Sequence, residues 1–242
     1  MTKTLFISDI HLEATNTRLT HQFLTLLDQL ETTVDALYIL GDLFEYWIGD
    51  DDCSPFHQTI KTALREVTQQ KKIPVYFIHG NRDFLIGARF FNETGCILLS
   101  EETKIILYGT PILLMHGDTL CREDRAYLRA RKLLHNRLLQ ALFLHLPLGL
   151  RQALANKIRA KSRQYTEATP PAIMNVTEEA VKMVMRKHDV RVLIHGHTHR
   201  PYIHEVLLGD SIAKRIVLGS WHEGVQVITW DRSLLIPSDR NA

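Results

Sequence analysis

The sequence predicts an α/β layered domain, and three observations carry that expectation. Short apolar runs rich in branched and aromatic residues recur along the 242 residues and end in Gly or Asp. Segments of helical period fall between several of these runs. The composition, 45% hydrophobic and 23% charged, is that of an ordinary globular chain and excludes disorder, collagen-like repeats and a disulfide scaffold. At about 100–250 residues per domain, one large domain or one domain with an insertion is expected.

The first predicted strand, Leu5-Phe6-Ile7, ends at Ser8-Asp9. The second, Ala36 to Leu40, ends at Gly41-Asp42, and the third, Val75 to Ile78, ends at His79-Gly80-Asn81. Ile112 to Met115 ends at His116-Gly117-Asp118, and Val190 to Ile194 ends at His195-Gly196-His197. Runs bounded in this way read as buried strands. Helical periodicity near residues 18–30, 56–71 and 177–188 supplies helices between them, the alternation of a layered α/β domain. The C-terminal third reads as hairpins, with Tyr202–Leu207, Arg215–Leu218 and Gly224–Thr229 predicted in a second sheet. Residues 122–165 break the alternation. Tyr127, Leu134, Leu138 and Leu142 are helically spaced, and a second stripe at Leu150, Leu154 and Ile158 follows the Pro147-Leu148-Gly149 break. A helical insertion is expected there, set into a core of residues 1–121 and 166–242 and closed by Pro170-Pro171.

The net charge of +2 conceals an uneven distribution. Residues 122–163 hold eleven Lys and Arg against Glu123 and Asp124, a net of +9 that leaves −7 on the remainder. With Leu138, Leu142, Phe143, Leu144 and Leu146 in the same segment, this reads as an interfacial membrane element or an acyl-binding cap. The alternative is a helical pair packing its apolar face on the protein. Nucleic acid is a competing partner for a basic patch, but Tyr127 and Phe143 are few aromatics for stacking on single strands, so none is expected. The N-terminal residues lack the long apolar region of a signal peptide, and no apolar stretch approaches the ~20 residues of a membrane span. Three cysteines, Cys53, Cys96 and Cys121, without a C-x-x-C pair favour a reducing compartment. A cytoplasmic location is expected.

Polar residues collect just after five predicted strands: Asp9 and His11, Asp42, Asn81, His116, and His197 with His199. Strand ends of α/β sheets face the binding crevice, so distant segments converge there. Asp9 and His11, two apart at a strand end, are expected to project to one face. Two carboxylates, one amide and four imidazoles without a thiolate suit a pair of intermediate to hard divalent metals. Asp42 is the natural bridge, because a carboxylate serves two ions with two oxygens. Two ions ~3.5–4 Å apart clamp a phosphoryl group and generate hydroxide at neutral pH. Each piece alone has a plainer reading: a capping pair, a turn, or a loop with surface imidazoles. The five in this order, each after an apolar strand, favour the dimetal site. His79 and His195 are expected beside the ligands rather than among them, and Asp50-Asp51-Asp52 as a solvated loop or helix cap. Trp47 and Trp221 are expected in the core.

The order D-x-H, G-D, G-N, H-G-D, G-H-x-H resembles the calcineurin-like metallophosphoesterases. The resemblance implies a four-layer αββα sandwich of two mixed sheets. It assigns Asp9, His11 and His199 to a first metal and Asn81, His116 and His197 to a second, with Asp42 bridging. One position departs from the pattern: the superfamily usually has His after the Asn, whereas here Arg82 follows Asn81. Arg is no general acid at neutral pH but places a charged planar fork against phosphate oxygens. A leaving group that is already a weak base, such as a phosphate monoester, is therefore favoured over an alkoxide.

Longer segments, Tyr38 to Phe44, Trp47 to Asp52, His79 to Leu85, His116 to Cys121 and Ile194 to Pro201, are similar to the UDP-2,3-diacylglucosamine diphosphatase family of lipid A biosynthesis. That resemblance implies hydrolysis to UMP and 2,3-diacylglucosamine 1-phosphate by dimetal-activated water attack on the uridine-side phosphorus. It also implies Mn²⁺ as the metal and a peripheral site at the cytoplasmic face of the inner membrane. Arg82, Asp42 and His197 become the catalytic candidates, and Asn81, Arg82, Asp124, Ser162, Thr166 and His197 the substrate contacts. Asp124 and Ser162 read otherwise as solvated helix residues. Where many relatives carry a Lys this chain has Thr169, which supplies no cation, so Lys161 or Arg163 is a substitute. A dimetal nuclease or nucleotide phosphodiesterase is the alternative activity, and a scaffold without catalysis the third.

Overall fold

In the computed structural model, which describes residues 2–170, 173–231 and 235–239, alternate residues of the first strand enter two different cores. Strand β1 (Lys3–Ile7) turns Leu5 and Ile7 toward helices and Phe6 toward a second sheet. The same division runs through β2 (Val34–Ile39) and β3 (Val75–Phe77): Leu37, Ile39, Val75 and Phe77 pack with the helices, while Ala36 and Tyr38 face the other sheet. Helix α1 (Thr17–Asp28) covers the first face with Leu19, Phe23, Leu26 and Leu27, and its first turn is capped by the Asn16 side chain. Helix α2 (Pro55–Arg65) adds Ile60 and Leu64 behind a Ser54 cap and a proline at its first position. A π-helical turn, Glu66–Gln70, continues it, so the helix expected to run to residue 71 changes its hydrogen-bond period at Glu66. Helix α3 (Ala88–Thr94), absent from the sequence reading, contributes Phe90 to the same core.

Strand β4 (Ile97–Leu98) ends the first sheet, and β5 (Thr103–Leu107) and β6 (Thr110–Met115) open the second as a hairpin. Beyond the insertion lie α7 (Glu178–His188), β7 (Val192–His195), β8 (Tyr202–Leu208), β9 (Ser211–Val217), β10 (Gln226–Asp231) and β11 (Leu235–Asp239). The first sheet has the order β11-β10-β1-β2-β3-β4 and the second β5-β6-β7-β9-β8. Both are mixed: the first is antiparallel from β11 to β1 and parallel from β1 to β4, and the second has parallel pairs at its centre and antiparallel pairs at both edges. Ile112, Leu114, Ile194 and Ile216 meet the first sheet, whereas Leu113, Met115 and Leu193 meet Val181, Val184 and Met185 of α7. The layers are therefore helix, sheet, sheet, helix, as the resemblance implies. One expectation is corrected: the segment placed at Gly224–Thr229 joins the first sheet as β10, antiparallel to β1, and only β8 and β9 of the C-terminal strands join the second. Alternation in a strand shows which faces are apolar but not which neighbour completes its ladder.

Helices α4 (Arg125–Leu134), α5 (Arg137–Leu144) and α6 (Leu148–Ala168) lie between β6 and α7, and α6 runs three residues past position 165. The side chains of Asp124 and Asn136 cap α4 and α5. Pro170 is described, and Pro171 lies outside the described residues. No residue of α4 or α5 is buried, and α6 buries only Arg151. The leucines of α5 thus face outward, with Leu138 76% and Leu142 67% exposed. Trp47 and Trp221 are core residues, as expected. No helix of the described residues is long and apolar enough to cross a membrane.

Candidate active site

The site lies where β1, β2, β3, β6 and β7 end. Each of these strands stops before its candidate residue, and the loops then bend sharply. Asp9, His11, Asp42, His197 and His199 all have φ between 53° and 67°. Side-chain-bearing residues seldom adopt this left-handed conformation, which costs about 1–3 kcal/mol each and gathers at functional sites. It also corrects one step of the sequence reading: β1 ends at Ile7, so strand alternation does not bring Asp9 and His11 to a common point. Their two left-handed turns do so, while backbone bonds from Asp9 to Gly41 (3.1 Å) and from His11 to Asp42 (3.0 Å) hold the adjacent loops together.

Two glycines make the close approach possible. A Cβ on Gly41, at φ 86°, would stand 2.6 Å from the Gly80 backbone and 2.7 Å from His116 Nδ1. On Gly80 it would stand 2.1 Å from Asp42 Oδ1. The glycines of the G-D and G-N motifs therefore let the loops stack on one another.

The seven predicted ligand candidates converge. Asp9, His11, Asp42 and His116 are buried, Asn81 and His197 half-buried, and His199 exposed. His11 Nε2 and His199 Nε2 face each other at 3.3 Å, and His199 Nε2 is 3.3 Å from Asp9 Oδ1. Asn81 Oδ1 accepts from His116 Nε2 at 2.9 Å and His197 Nδ1 at 3.0 Å. Between these groups lies Asp42 Oδ2, 3.8 Å from His11 Nε2 and 3.7 Å from His116 Nε2. Its other oxygen accepts from the Arg82 backbone at 2.8 Å.

The donor set fits divalent ions. Asp9 Oδ1 is buried without a hydrogen-bond donor. Candidate ligand atoms of Asp9, His11 and His199, and of Asp9, Asp42 and His116, lie within 4.8 Å of one another. His116 Nδ1 is held by Leu40 O at 2.9 Å and His11 Nδ1 lies 3.0 Å from Glu45 Oε2, so both rings present Nε2 to the centre. Burial opposes charge on His116, but Asp42, Asp9 and Asp118 overcome it and raise its pKa to about 9. Burial and the neighbouring His116 hold His197 down at about 4. Burial works against the Asp9 anion, yet the facing His199 ring and the His116 and His11 imidazoles around it keep the carboxyl well below its usual range.

Three carboxylates of the site had no role in the sequence reading. Asp83 is buried and accepts from the backbone N–H of Leu43 and Gly80 at 2.8 Å, tying the second and third loops together. Asp118 accepts from Tyr127 Oη at 2.6 Å and Arg131 Nε at 2.5 Å, so it anchors α4 beside His116. Glu45 is the third. Asp83 and Asp118 stand inside the motifs themselves, and the only available signal was an acidic residue one or two places from a candidate ligand.

The remaining candidates occupy the insertion. Asp124 is buried rather than solvated, and its Oδ1 accepts from Tyr127 N at 2.9 Å and Tyr165 Oη at 2.6 Å. Ser162 is half-buried and Thr166 exposed, one turn apart on α6. Thr169 Oγ1 donates to Tyr165 O at 2.7 Å, while Lys161 and Arg163 are exposed. His195 is buried next to Gly196 and His79 donates to Ile86 O at 2.9 Å, both outside the cluster. Of the acidic run, Asp50 accepts from Gly87 N, Phe90 N and Trp47 Nε1 and so caps α3, while Asp51 pairs with Arg151.

Two sheets closed by helices, with histidines and carboxylates at the ends of five strands, define a phosphoesterase of the metal-dependent kind. Residues 2–201 match the calcineurin-like phosphoesterase family, and the chain belongs to it. Over 230 residues it is 52% identical to the UDP-2,3-diacylglucosamine hydrolase of Photobacterium profundum, covering 94% of each chain. Its identity to the protein of that name from Serratia proteamaculans is also 52%, over 90% of this chain and 91% of the other. Within the phosphoesterases, the chain is a member of this hydrolase family. It is also similar to the solved structure of Vacuolar Protein Sorting 29 from Cryptosporidium parvum, with 14% identity, a TM-score of 0.48, and coverage of 95% and 86% of the two chains. The chain is a metal-dependent hydrolase, and its metal is divalent.

Proposed function

We propose that the chain hydrolyses the pyrophosphate bond of UDP-2,3-diacylglucosamine, releasing UMP and 2,3-diacylglucosamine 1-phosphate in lipid A biosynthesis. The observation that carries this reading is the placement of Asp42 Oδ2 between His11 and His116, in a chain 52% identical to hydrolases of that name. Asp9, His11 and His199 would hold one divalent ion, Asn81, His116 and His197 the other, and Asp42 both, with Mn²⁺ the expected metal. Such a pair supplies Lewis acidity and a water that ionises near neutral pH.

The chain's own residues do the rest. Arg82 is 27% exposed at the mouth of the site, where its guanidinium fork suits two diphosphate oxygens as charge builds on them. Its backbone N–H fixes Asp42, so the same residue orients the bridge. No general acid stands at position 82, and the leaving phosphate monoester needs none. His197 completes the charge stabilisation, with water directed at the uridine-side phosphorus.

Residues 122–165 form the lipid-facing part of this reading, with Asp124, Ser162 and Thr166 as substrate contacts. The exposure of Leu138 and Leu142 among eleven basic residues supports acyl-chain and membrane contact at the cytoplasmic face of the inner membrane, in preference to packing on the core. The same layout favours an anionic glycolipid over nucleic acid. The test is release of UMP from UDP-2,3-diacylglucosamine with and without Mn²⁺, with UDP-glucose as the control. Equal turnover of the control, or no release, would overturn the lipid assignment, and salt-dependent binding and cleavage of RNA or DNA would favour the nuclease alternative.

A further inference from the structure

One carboxylate serves both the insertion and the cluster of candidate ligands. Glu45 follows Asp42 by three residues, and its side chain is 17% exposed. Its Oε2 lies 3.0 Å from His11 Nδ1, the ring nitrogen opposite the one that faces Asp42 and His199. Its Oε1 accepts from Arg159 Nε at 3.3 Å and Nη2 at 3.2 Å, and lies 3.9 Å from Arg82 Nη1. Arg159 belongs to α6, and its guanidinium also reaches Glu13 Oε2 at 3.2 Å and stands 4.7 Å over the Tyr46 ring. Two turns earlier on α6, Gln152 donates to Tyr46 Oη at 3.1 Å. Residues 45 and 46 thus form one part of the seat on which α6 rests, beside the Arg151 contacts to Ile48 O and Asp51.

We propose that Glu45 is a positioning residue that joins the seating of α6 to the geometry of the Asp9–His11–His199 subsite, with Arg159 acting on His11 through Glu45. The inference rests on the reading that His11 holds a metal ion. An imidazole that gives its Nδ1 proton to a carboxylate keeps the Nε2 lone pair for an ion and fixes the plane of the ring. A carboxylate does this well only when its own orientation is fixed. Arg159 fixes Glu45 by two hydrogen bonds to the oxygen that His11 does not use. Without Arg159, the 3.9 Å contact to Arg82 is the one restraint on that oxygen among the described residues, and the side chain can turn away from His11. Coupling of this kind runs both ways, so metal uptake orders α6 as much as α6 favours metal uptake.

The test is calorimetric titration of metal-free full-length protein with Mn²⁺, without substrate. Glu45→Ala is expected to weaken binding by about 10–100-fold, the usual cost of losing a carboxylate behind a ligand histidine. Arg159→Ala should weaken it by about two- to fivefold, as for a part-exposed ion pair. The double variant should bind no more weakly than Glu45→Ala alone, because Arg159 has nothing left to act through. Glu45→Gln, which keeps an acceptor for His11 but not the charge that draws Arg159, should bind better than Glu45→Ala and cancel the effect of Arg159→Ala. It also guards against a folding defect in the alanine variant. Amide exchange in α6 should slow on Mn²⁺ addition in wild type and not in Glu45→Ala. Unchanged Mn²⁺ affinity in Arg159→Ala with a raised KM would overturn the proposal by making Arg159 a direct substrate contact, and additive losses in the double variant would overturn it equally. Failure of the wild type to take up Mn²⁺ would instead sink the dimetal reading, and this coupling with it.

Discussion

Gly80→Ala isolates the packing of the ligand loops from every other property of the site. The added methyl carbon would stand 2.1 Å from Asp42 Oδ1, 2.4 Å from Asp42 N and 2.8 Å from its Cγ. Ordinary contact begins near 3.4 Å, so Asp42 or the Gly80 loop must retreat by about 1 Å. Asp42 has little room to yield. Its carbonyl accepts from His11 N at 3.0 Å, its Oδ1 accepts from Arg82 N at 2.8 Å, and its backbone is already left-handed. The strain of overpacking, about 1–3 kcal/mol, is smaller than the ~5–15 kcal/mol that stabilises a domain, so the variant should fold. Turnover should not survive as well, because a shift of about 1 Å in a group that places the reacting atoms costs on the order of 10²-fold. Initial rates of UMP release at saturating Mn²⁺, beside a circular-dichroism melt, measure both quantities. A variant with wild-type rate and wild-type Mn²⁺ affinity would refute the argument that Gly80 is there to make room for Asp42.

Three further outcomes follow from the same geometry. Arg82→Ala should lower kcat by about 10²–10³-fold, the usual cost of a lost transition-state donor, and Arg82→Lys should recover only part of it; full recovery by lysine would show that charge alone matters. The His116 proton stabilises the metal-free fold fully below an ordinary histidine value of about 6.5 and is lost as pH rises through about 9. Metal uptake displaces that proton, so Mn²⁺ affinity measured by calorimetry should rise from pH 6 to pH 9, and a flat profile would exclude His116 as a ligand. Replacing Leu138 and Leu142 by Glu removes two exposed apolar side chains, each contributing about 1.5–3 kcal/mol if buried in lipid. Co-sedimentation with anionic vesicles should fall more than tenfold while the melting temperature stays within a few degrees, and undiminished sedimentation would remove α5 from the membrane contact.

The residues that do chemistry were legible because their motifs are local. A glycine beside Asp42, Asn81, His116 or His197 after an apolar run marks a strand that ends in a tight polar turn, and four such ends, with Asp9 after a fifth strand, have few places to go in one α/β chain but a shared crevice. The helical period and basic charge of residues 122–163 were legible for a similar reason, since both are properties of neighbours in sequence; that the leucines of α5 face outward rather than onto the core was not. Other features depend on residues far apart in the chain and arise only when folding brings them together. Alternation in β10 gave no sign that it would pair with β1 rather than extend the second sheet, because ladder partners are chosen by the packing of both faces together. Asp9 and His11 meet through left-handed turns that no strand pattern encodes. Asp83, Asp118 and Glu45 gained roles from the loops and helices that folding brought to them. Asp124, whose plainer reading is a solvated helix residue, is buried, and Tyr165, 41 residues on, donates to it. Local spacing names the side chains that can hold metal and phosphate; folding sets how far apart they stand and which carboxylates hold them still, because those distances come from contacts between segments that no local spacing contains.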